Sequence, residues 1–155
     1  MGERGARAHR EGRAEVRPPN RVNVDWKGAH TFETGREGGP TALADGDSIS
    51  APSPVDMFLG ALGSCISVDV VDILAKRRTP VETFSVEVVG DRVETVPRHL
   101  KHVNLNFRIT GAGIERVHAE RAIELSVTKY CSIRSSLDPE IPVEWNLSLN
   151  ELAAS

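Results

Sequence analysis

The stretch Ser53-Pro54-Val55-Asp56-Met57-Phe58-Leu59-Gly60-Ala61-Leu62-Gly63-Ser64-Cys65, running on to Lys76-Arg77-Arg78, decides the fold. It opens on a helix start signal. Ser53 can cap, Pro54 suits the first helical position, and Asp56 stands three residues after the cap. It closes on Lys76-Arg77-Arg78, which suits the negative end of the helix dipole, and Pro80 forbids continuation. A helix of this length spans the whole width of a 155-residue domain. Met57 through Val68 carries no charge, so apolar or small side chains point in every direction. Such a helix is expected to be buried all round. One small sheet covers one side only, so a second helix or a second subunit is expected on the other. Gly60 and Gly63 cost helix propensity, and close approach by another backbone would account for them.

The flanking segments read as strands and one further helix. Before the long helix, Val22, Val24 and Trp26 alternate with polar residues. Thr31-Phe32 and Ala42-Leu43-Ala44 are short strand pieces, with turns at Gly35–Pro40 and Asp45-Gly46-Asp47. After it, Phe84, Val86 and Val88 alternate, as do Val103, Leu105, Phe107 and Ile109. Gly111 and Gly113 lead into a second helix expected over about residues 114–130. Asp138-Pro139 stops the turn that follows, and Val143, Trp145, Leu147 and Leu149 form a last strand. This order predicts an α+β fold with mostly antiparallel pairing.

Composition narrows the function classes. Hydrophobic residues make up 39% and charged residues 26%, a globular mix. No stretch holds eighteen uninterrupted apolar residues, so no membrane span is expected. No apolar segment of secretory type opens the chain, so a cytoplasmic location is expected. Residues 1–21 carry six Arg against Glu3, Glu11 and Glu15, so with a formal net charge of −3 the remainder carries −6. We expect residues 1–21 to be a disordered basic arm and residues 22–155 to be the domain. The arm has no aromatic for base stacking, its acids dilute the field, and the acidic body repels phosphate, so no nucleic-acid partner is expected.

The two cysteines, Cys65 and Cys131, lie 66 positions apart, one in each predicted helical region. Cys65 is twelve residues past the cap, beyond the reach of the helix dipole. Its helical neighbours Ala61, Leu62, Val68 and Asp69 offer nothing that makes a thiolate. A reactive Cys65 would need a cation from elsewhere in the fold or from a partner chain; otherwise it is a small hydrophobe in a packed helix. Cys131 has Lys129, Tyr130 and Arg134 nearby, a partly polar and basic setting that suits a thiol that must be reached. Two packed helices could bring the pair together, but spacing alone does not show it. The five histidines form no metal-ligating pattern, and His99 and His102 read as solvated turn residues.

The long-helix motif, continued by Asp69-Val70-Val71-Asp72-Ile73-Leu74-Ala75-Lys76-Arg77-Arg78, closely resembles the helix signature of the OsmC/Ohr family, the osmotically inducible protein C and organic hydroperoxide resistance proteins. Lys129-Tyr130-Cys131-Ser132-Ile133 resembles the family's second cysteine segment, and Trp26-Lys27-Gly28 and the closing strand fit as well. The resemblance spans about residues 22–150. It implies an intertwined α+β homodimer, with long helices packed centrally between antiparallel sheets. It implies a thiol peroxidase for organic hydroperoxides, with Cys65 as the peroxidatic thiol, Cys131 as the resolving thiol, and an external dithiol as reductant. It implies no bound cofactor, and no metal is expected. Met57, Phe58 and Leu62, with Ala61 and Gly63, suit a greasy pocket for alkyl peroxides.

In organic hydroperoxide members an Arg activates the thiol, and a Glu ten residues before the cysteine holds that Arg. Here that position is Val55, and Asp56 follows it. Asp56 falls on the far side of the helix from Cys65, as a helix-start acid would. Gly35-Arg36-Glu37-Gly38 resembles the family's Gly-Arg-Asp-Gly turn, which makes Arg36 the candidate activator, with Lys27 and Arg21 as rivals. A family-fold small-molecule-binding or stress protein with little peroxidase activity is the competing function, and buried structural cysteines are the third.

Overall fold

The computed structural model describes residues 16–151. Most of the expected basic arm therefore lies outside the described residues. Its described end, residues 16–21, is exposed and has no regular structure.

Three short strands open the fold: β1 Asn23–Gly28, β2 Thr31–Gly35 and β3 Thr41–Asp45. They pair antiparallel in sequence order. The register puts Trp26 opposite Phe32 and Phe32 opposite Ala44. Alternation therefore gathers Val24, Trp26, Phe32, Ala42 and Ala44 on one face. Most of that face is uncovered in a single chain, with Trp26 68% exposed.

Asp45 converts this sheet into the long helix. Its buried carboxylate accepts the N–H groups of Asp47, Ile49 and Ser50 and the Ser50 hydroxyl, at 2.9–3.1 Å. The Ser50 N–H foremost, with the Asp47 N–H and the Ser50 hydroxyl, holds the carboxyl down at about 2. The loop so fixed delivers Ser53 to the start of α1, Pro54–Lys76. The start is the expected one. Ser53 Oγ accepts the Asp56 N–H, and the Asp56 side chain accepts the Ser53 N–H.

The second sheet carries the core. β4 Thr83–Arg92 pairs antiparallel with β5 Leu100–Thr110, and β5 pairs parallel with β6 Val143–Leu149. The parallel pair departs from the expectation of antiparallel sheets. Between β5 and β6 the chain passes through helical segments, and such a crossover returns the next strand in the same direction. Phe84, Val86 and Val88 align across the sheet with Ile109, Phe107 and Leu105, and these with Leu149, Leu147 and Trp145. This apolar face packs under α1 and under α2, Arg116–Leu125. The Trp145 indole N–H donates to Glu124 and ties β6 to α2. The opposite face of the sheet presents Glu87, Asn104, Asn106 and Asn146.

Within one chain α1 is buried along a single stripe. Leu62, Ile66, Val70 and Leu74, four residues apart, are fully covered, each worth about 1.5–3 kcal/mol of burial. Gly63 lies on the same side, where an added Cβ would come within 2.7 Å of Val88. The expected close approach is thus real for Gly63, against a side chain rather than a backbone. Gly60 meets nothing within 4 Å. It belongs to the other side of the helix, with exposed Phe58, Ala61, Ser64 and Val68. A helix covered all round is therefore not what one chain builds. By length and composition alone α1 is also apolar enough to cross a membrane, which a search for an unbroken apolar run does not reveal. Here its inner stripe forms the core against the sheet.

The second helix is shorter than expected. After α2 the chain enters a π turn, Ser126–Tyr130, then α3, Ser132–Ser135. The Cys131 N–H closes the π turn on the Ser126 carbonyl at 3.0 Å. Cys131 is at once the last residue of that turn's cap and the N-cap of α3.

Candidate functional site

Cys65 sits midway along α1, at the edge of the buried stripe, and is half-buried. Cys131 reaches the same place from the π turn and is only 1% exposed. The fold brings the two thiols, 66 positions apart in sequence, close enough that each acts on the other's ionisation. Both are free thiols.

The surroundings of Cys65 are dominated by two opposing effects. Burial works against its ionisation. Donors from the neighbouring turn work the other way and prevail. The Ile133 N–H, the Cys131 thiol, and the hydroxyl and N–H of Ser132 all serve the Cys65 sulfur, and its thiol is held below its ordinary value of 9.0. Among the described residues of one chain, no cation is among the groups that act on Cys65. The donors are neutral, and they converge because Cys131 caps α3. The first N–H groups of a helix have no intrahelical acceptor and project from its start.

Cys131 titrates in the opposite direction. Burial chiefly, then its bond to Cys65, pushes its thiol up to about 11, although the Arg134 N–H donates to its sulfur at 3.3 Å. The basic, accessible setting expected from sequence is absent. Lys129 lies over the Tyr130 ring, and both residues face solvent. Arg134 meets Cys131 through its backbone, while its guanidinium binds the Ile141 carbonyl at 3.2 Å. Side chains adjacent in sequence are turned away by the π turn that rotates Cys131 inward.

The Arg36 candidate stands elsewhere. It is exposed in the β2–β3 turn, where its guanidinium donates to Asn20 at 3.0 Å, and it is not among the groups that act on Cys65. Lys27 pairs with Glu33 at 3.3 Å. Arg21 is exposed. Asp56 stays in the capping box, as its angular position implied. The described residues bring no group of His, Cys, Asp and Glu together for a metal.

A cavity of about 360 Å³ lies at the start of α1, and neither cysteine lines it. Its walls come from the start of α1 (Pro54, Val55, Phe58), the β4–β5 connection, and the segment after α3 (Leu137, Ile141). Of the residues expected to make a greasy pocket, Phe58 lines it. Leu62 and Gly63 face the sheet instead.

Sequence reasoning assigned no role to Ser132 or to the Ile133 N–H. A local signal for them exists. A short polar residue at the start of a helix stopped by Asp138-Pro139 implies free N–H groups at that start. The arrangement as a whole can hold one thiolate beside one protonated thiol, with donors already in place.

Comparison with known proteins adds the following. Residues 45–146 match the family described as OsmC-like protein. The chain is 37% identical over 123 residues to protein YhfA of Escherichia coli K12, covering 79% of this chain and 92% of YhfA. A crystal structure of a hypothetical protein from Aquifex aeolicus VF5 superposes with a TM-score of 0.74 at 25% identity, covering 87% of this chain and 100% of that one. The organic hydroperoxide resistance protein OhrB of Bacillus subtilis is more distant. It has a TM-score of 0.56 and 11% identity over 83% of this chain and 96% of its own, a likeness of fold.

Proposed function

Because this chain belongs to the OsmC-like family, whose wider OsmC/Ohr group includes peroxidases, we propose that it reduces organic hydroperoxides with the Cys65–Cys131 pair. The observation that carries this reading is the closeness of the two thiols, with Cys65 held toward its thiolate and Cys131 held protonated. The chemistry divides accordingly. The Cys65 thiolate attacks the hydroxyl oxygen of ROOH, the O–O bond breaks, and RO⁻ leaves to take a proton as ROH. Cys65 is then a sulfenic acid. Cys131 attacks its sulfur, water leaves, and a Cys65–Cys131 disulfide forms. An external dithiol exchanges with that disulfide and returns both thiols. Neither a cofactor nor a metal enters this cycle, and its reduced resting state suits a cytoplasmic protein.

The test is dithiol-dependent turnover of cumene hydroperoxide. Cys65→Ser abolishes it. Cys131→Ser still consumes about one equivalent of peroxide, then stalls with a sulfenic acid on Cys65 that dimedone captures. Turnover unchanged in Cys65→Ser defeats the reading.

The working unit in this proposal is a homodimer. Two uncovered apolar surfaces support it: the outer side of α1 with Phe58 and Val68, and the face of the first sheet with Val24 and Trp26. Exposed apolar side chains grouped on one face, rather than scattered singly, mark interaction surfaces. Size-exclusion chromatography with light scattering gives twice the chain mass, and Val68→Asp shifts it toward the monomer. A monomer at micromolar concentration overturns the dimer.

A further inference from the structure

The inward side of α2 runs on into the π turn. Ala119, Ala122, Ile123, Ser126 and Val127 are all buried and are spaced as one helical stripe. At 3.6 residues per turn the next member of that stripe is Tyr130, eleven residues past Ala119 and about 20° from its direction. Cys131 would stand about 120° away. The structure reverses the two. Tyr130 is 49% exposed, and Cys131 is sealed in the core. A π turn closes its hydrogen bond over five residues where an α turn uses four. It takes up one residue more, so Cys131 occupies the place that Tyr130 would hold in an unbroken helix. α1 packs against this turn and against α3.

Two hydroxyls stand where the helix changes. The Ser126 hydroxyl donates to the Ala122 carbonyl at 2.7 Å, and the Thr128 hydroxyl donates to the Glu124 carbonyl at 2.7 Å. Each takes the carbonyl four residues back, the acceptor on which the α-helical ladder closes. A side chain on that acceptor weakens the ladder and bends the helix. The Ser126 side chain is fully buried, and the Ala122 carbonyl is its one partner among the described residues. Just beyond these two bonds the Cys131 N–H closes five residues back, on the Ser126 carbonyl.

We propose that Ser126 and Thr128 are positioning residues for the second thiol: their hydroxyls open the helix into the π turn, and the residue that turn takes up sets Cys131, rather than Tyr130, beside Cys65. The role rests on the proposed thiol cycle for its purpose. Its mechanism lies in the backbone and needs no sulfur chemistry. Without the turn the helix carries a phenol to Cys65 and turns Cys131 out of the core. A sulfenic acid on Cys65 then has no thiol to resolve it.

Alkylation of Cys131 by iodoacetamide in the Cys65→Ser protein reads this register apart from any disulfide or peroxide. Cys131 is protected in that protein. Ser126→Ala with Thr128→Ala exposes it, and its alkylation rises about tenfold or more. Deletion of Lys129 from the double variant removes the extra residue. An unbroken α helix then points Cys131 inward again, and protection returns. Exposure caused by a damaged helix would only grow with a further deletion. With both cysteines present, oxidation by diamide follows the same order. The intrachain disulfide forms in the natural chain, is lost in the double variant, and returns on deletion of Lys129. A Cys131 that stays protected in the double variant, or stays exposed after the deletion, overturns the proposal. A natural chain that forms no disulfide with diamide defeats the thiol cycle instead, and the alkylation result still decides the register.

Discussion

Cys65 and Cys131 are the same side chain close to one another, and the fold gives them opposite properties. Cys65 stands on a long helix at the border between core and surface. Donors from the Cys131–Ile133 turn converge on its sulfur and hold its thiol low despite burial. Cys131 is sealed in the core, serves as the donor of the pair, and is pushed up to about 11. One proton is therefore shared unequally, and the pair titrates as a unit. The difference teaches that the asymmetry a two-cysteine cycle needs can come from placement alone. A cap, a π turn and a burial gradient supply it.

The largest expected effect tests that difference directly. The nucleophile is the thiolate, so alkylation follows the thiolate fraction and access. Cys65 is held toward its thiolate and is half-buried, whereas Cys131 is pushed up and sealed in the core. Iodoacetamide on the reduced native protein therefore modifies Cys65 much faster than Cys131, read by peptide mass spectrometry over time. In denaturant the two rates converge. Equal rates in the native protein break the comparison and return both cysteines to the role of structural filler.

Much of this was legible in the sequence, for identifiable reasons. The long helix was bounded by local chemistry: Ser53, Pro54 and Asp56 at one end, Lys76 and Pro80 at the other, and both ends fall where they were expected. The strands followed from alternation, because a side-chain period of two survives in the linear order. The parallel return of β6 was not legible, since strand direction depends on the path of the intervening crossover. The surroundings of Cys131 were misread for a related reason. Lys129, Tyr130 and Arg134 are neighbours in sequence, but the π turn at Ser126–Tyr130 sends their side chains away from the sulfur. Arg36 was suggested by a four-residue likeness, and its turn carries it to Asn20. The donors that do reach Cys65 were out of view because they arrive across 66 positions of chain. The glycines show the same boundary. Gly63 and Gly60 are indistinguishable by propensity, and only the fold puts one against Val88 and leaves the other on the open side.

The smaller effect sharpens the comparison by removing one donor while keeping both sulfurs. Ser132→Ala deletes the hydroxyl that serves Cys65 and leaves the Ser132 and Ile133 N–H groups and the Cys131 thiol in place. Hydrogen bonds to the charged form of a group lower an acid's pKa, so losing one raises it. The Cys65 thiol therefore moves up, and the pH profile of its alkylation moves to higher pH. A single such bond is worth about 0.5–1.5 kcal/mol, which makes alkylation at neutral pH slower by about two- to tenfold. Above the Cys65 pKa the variant and the natural protein react at the same rate, because both are then thiolates. That convergence separates a lost donor from a distorted site, which would lower the rate at every pH. Ser132→Thr keeps a hydroxyl and restores part of the shift. A profile unmoved by Ser132→Ala assigns the asymmetry of the two cysteines to the backbone donors and to Cys131 itself.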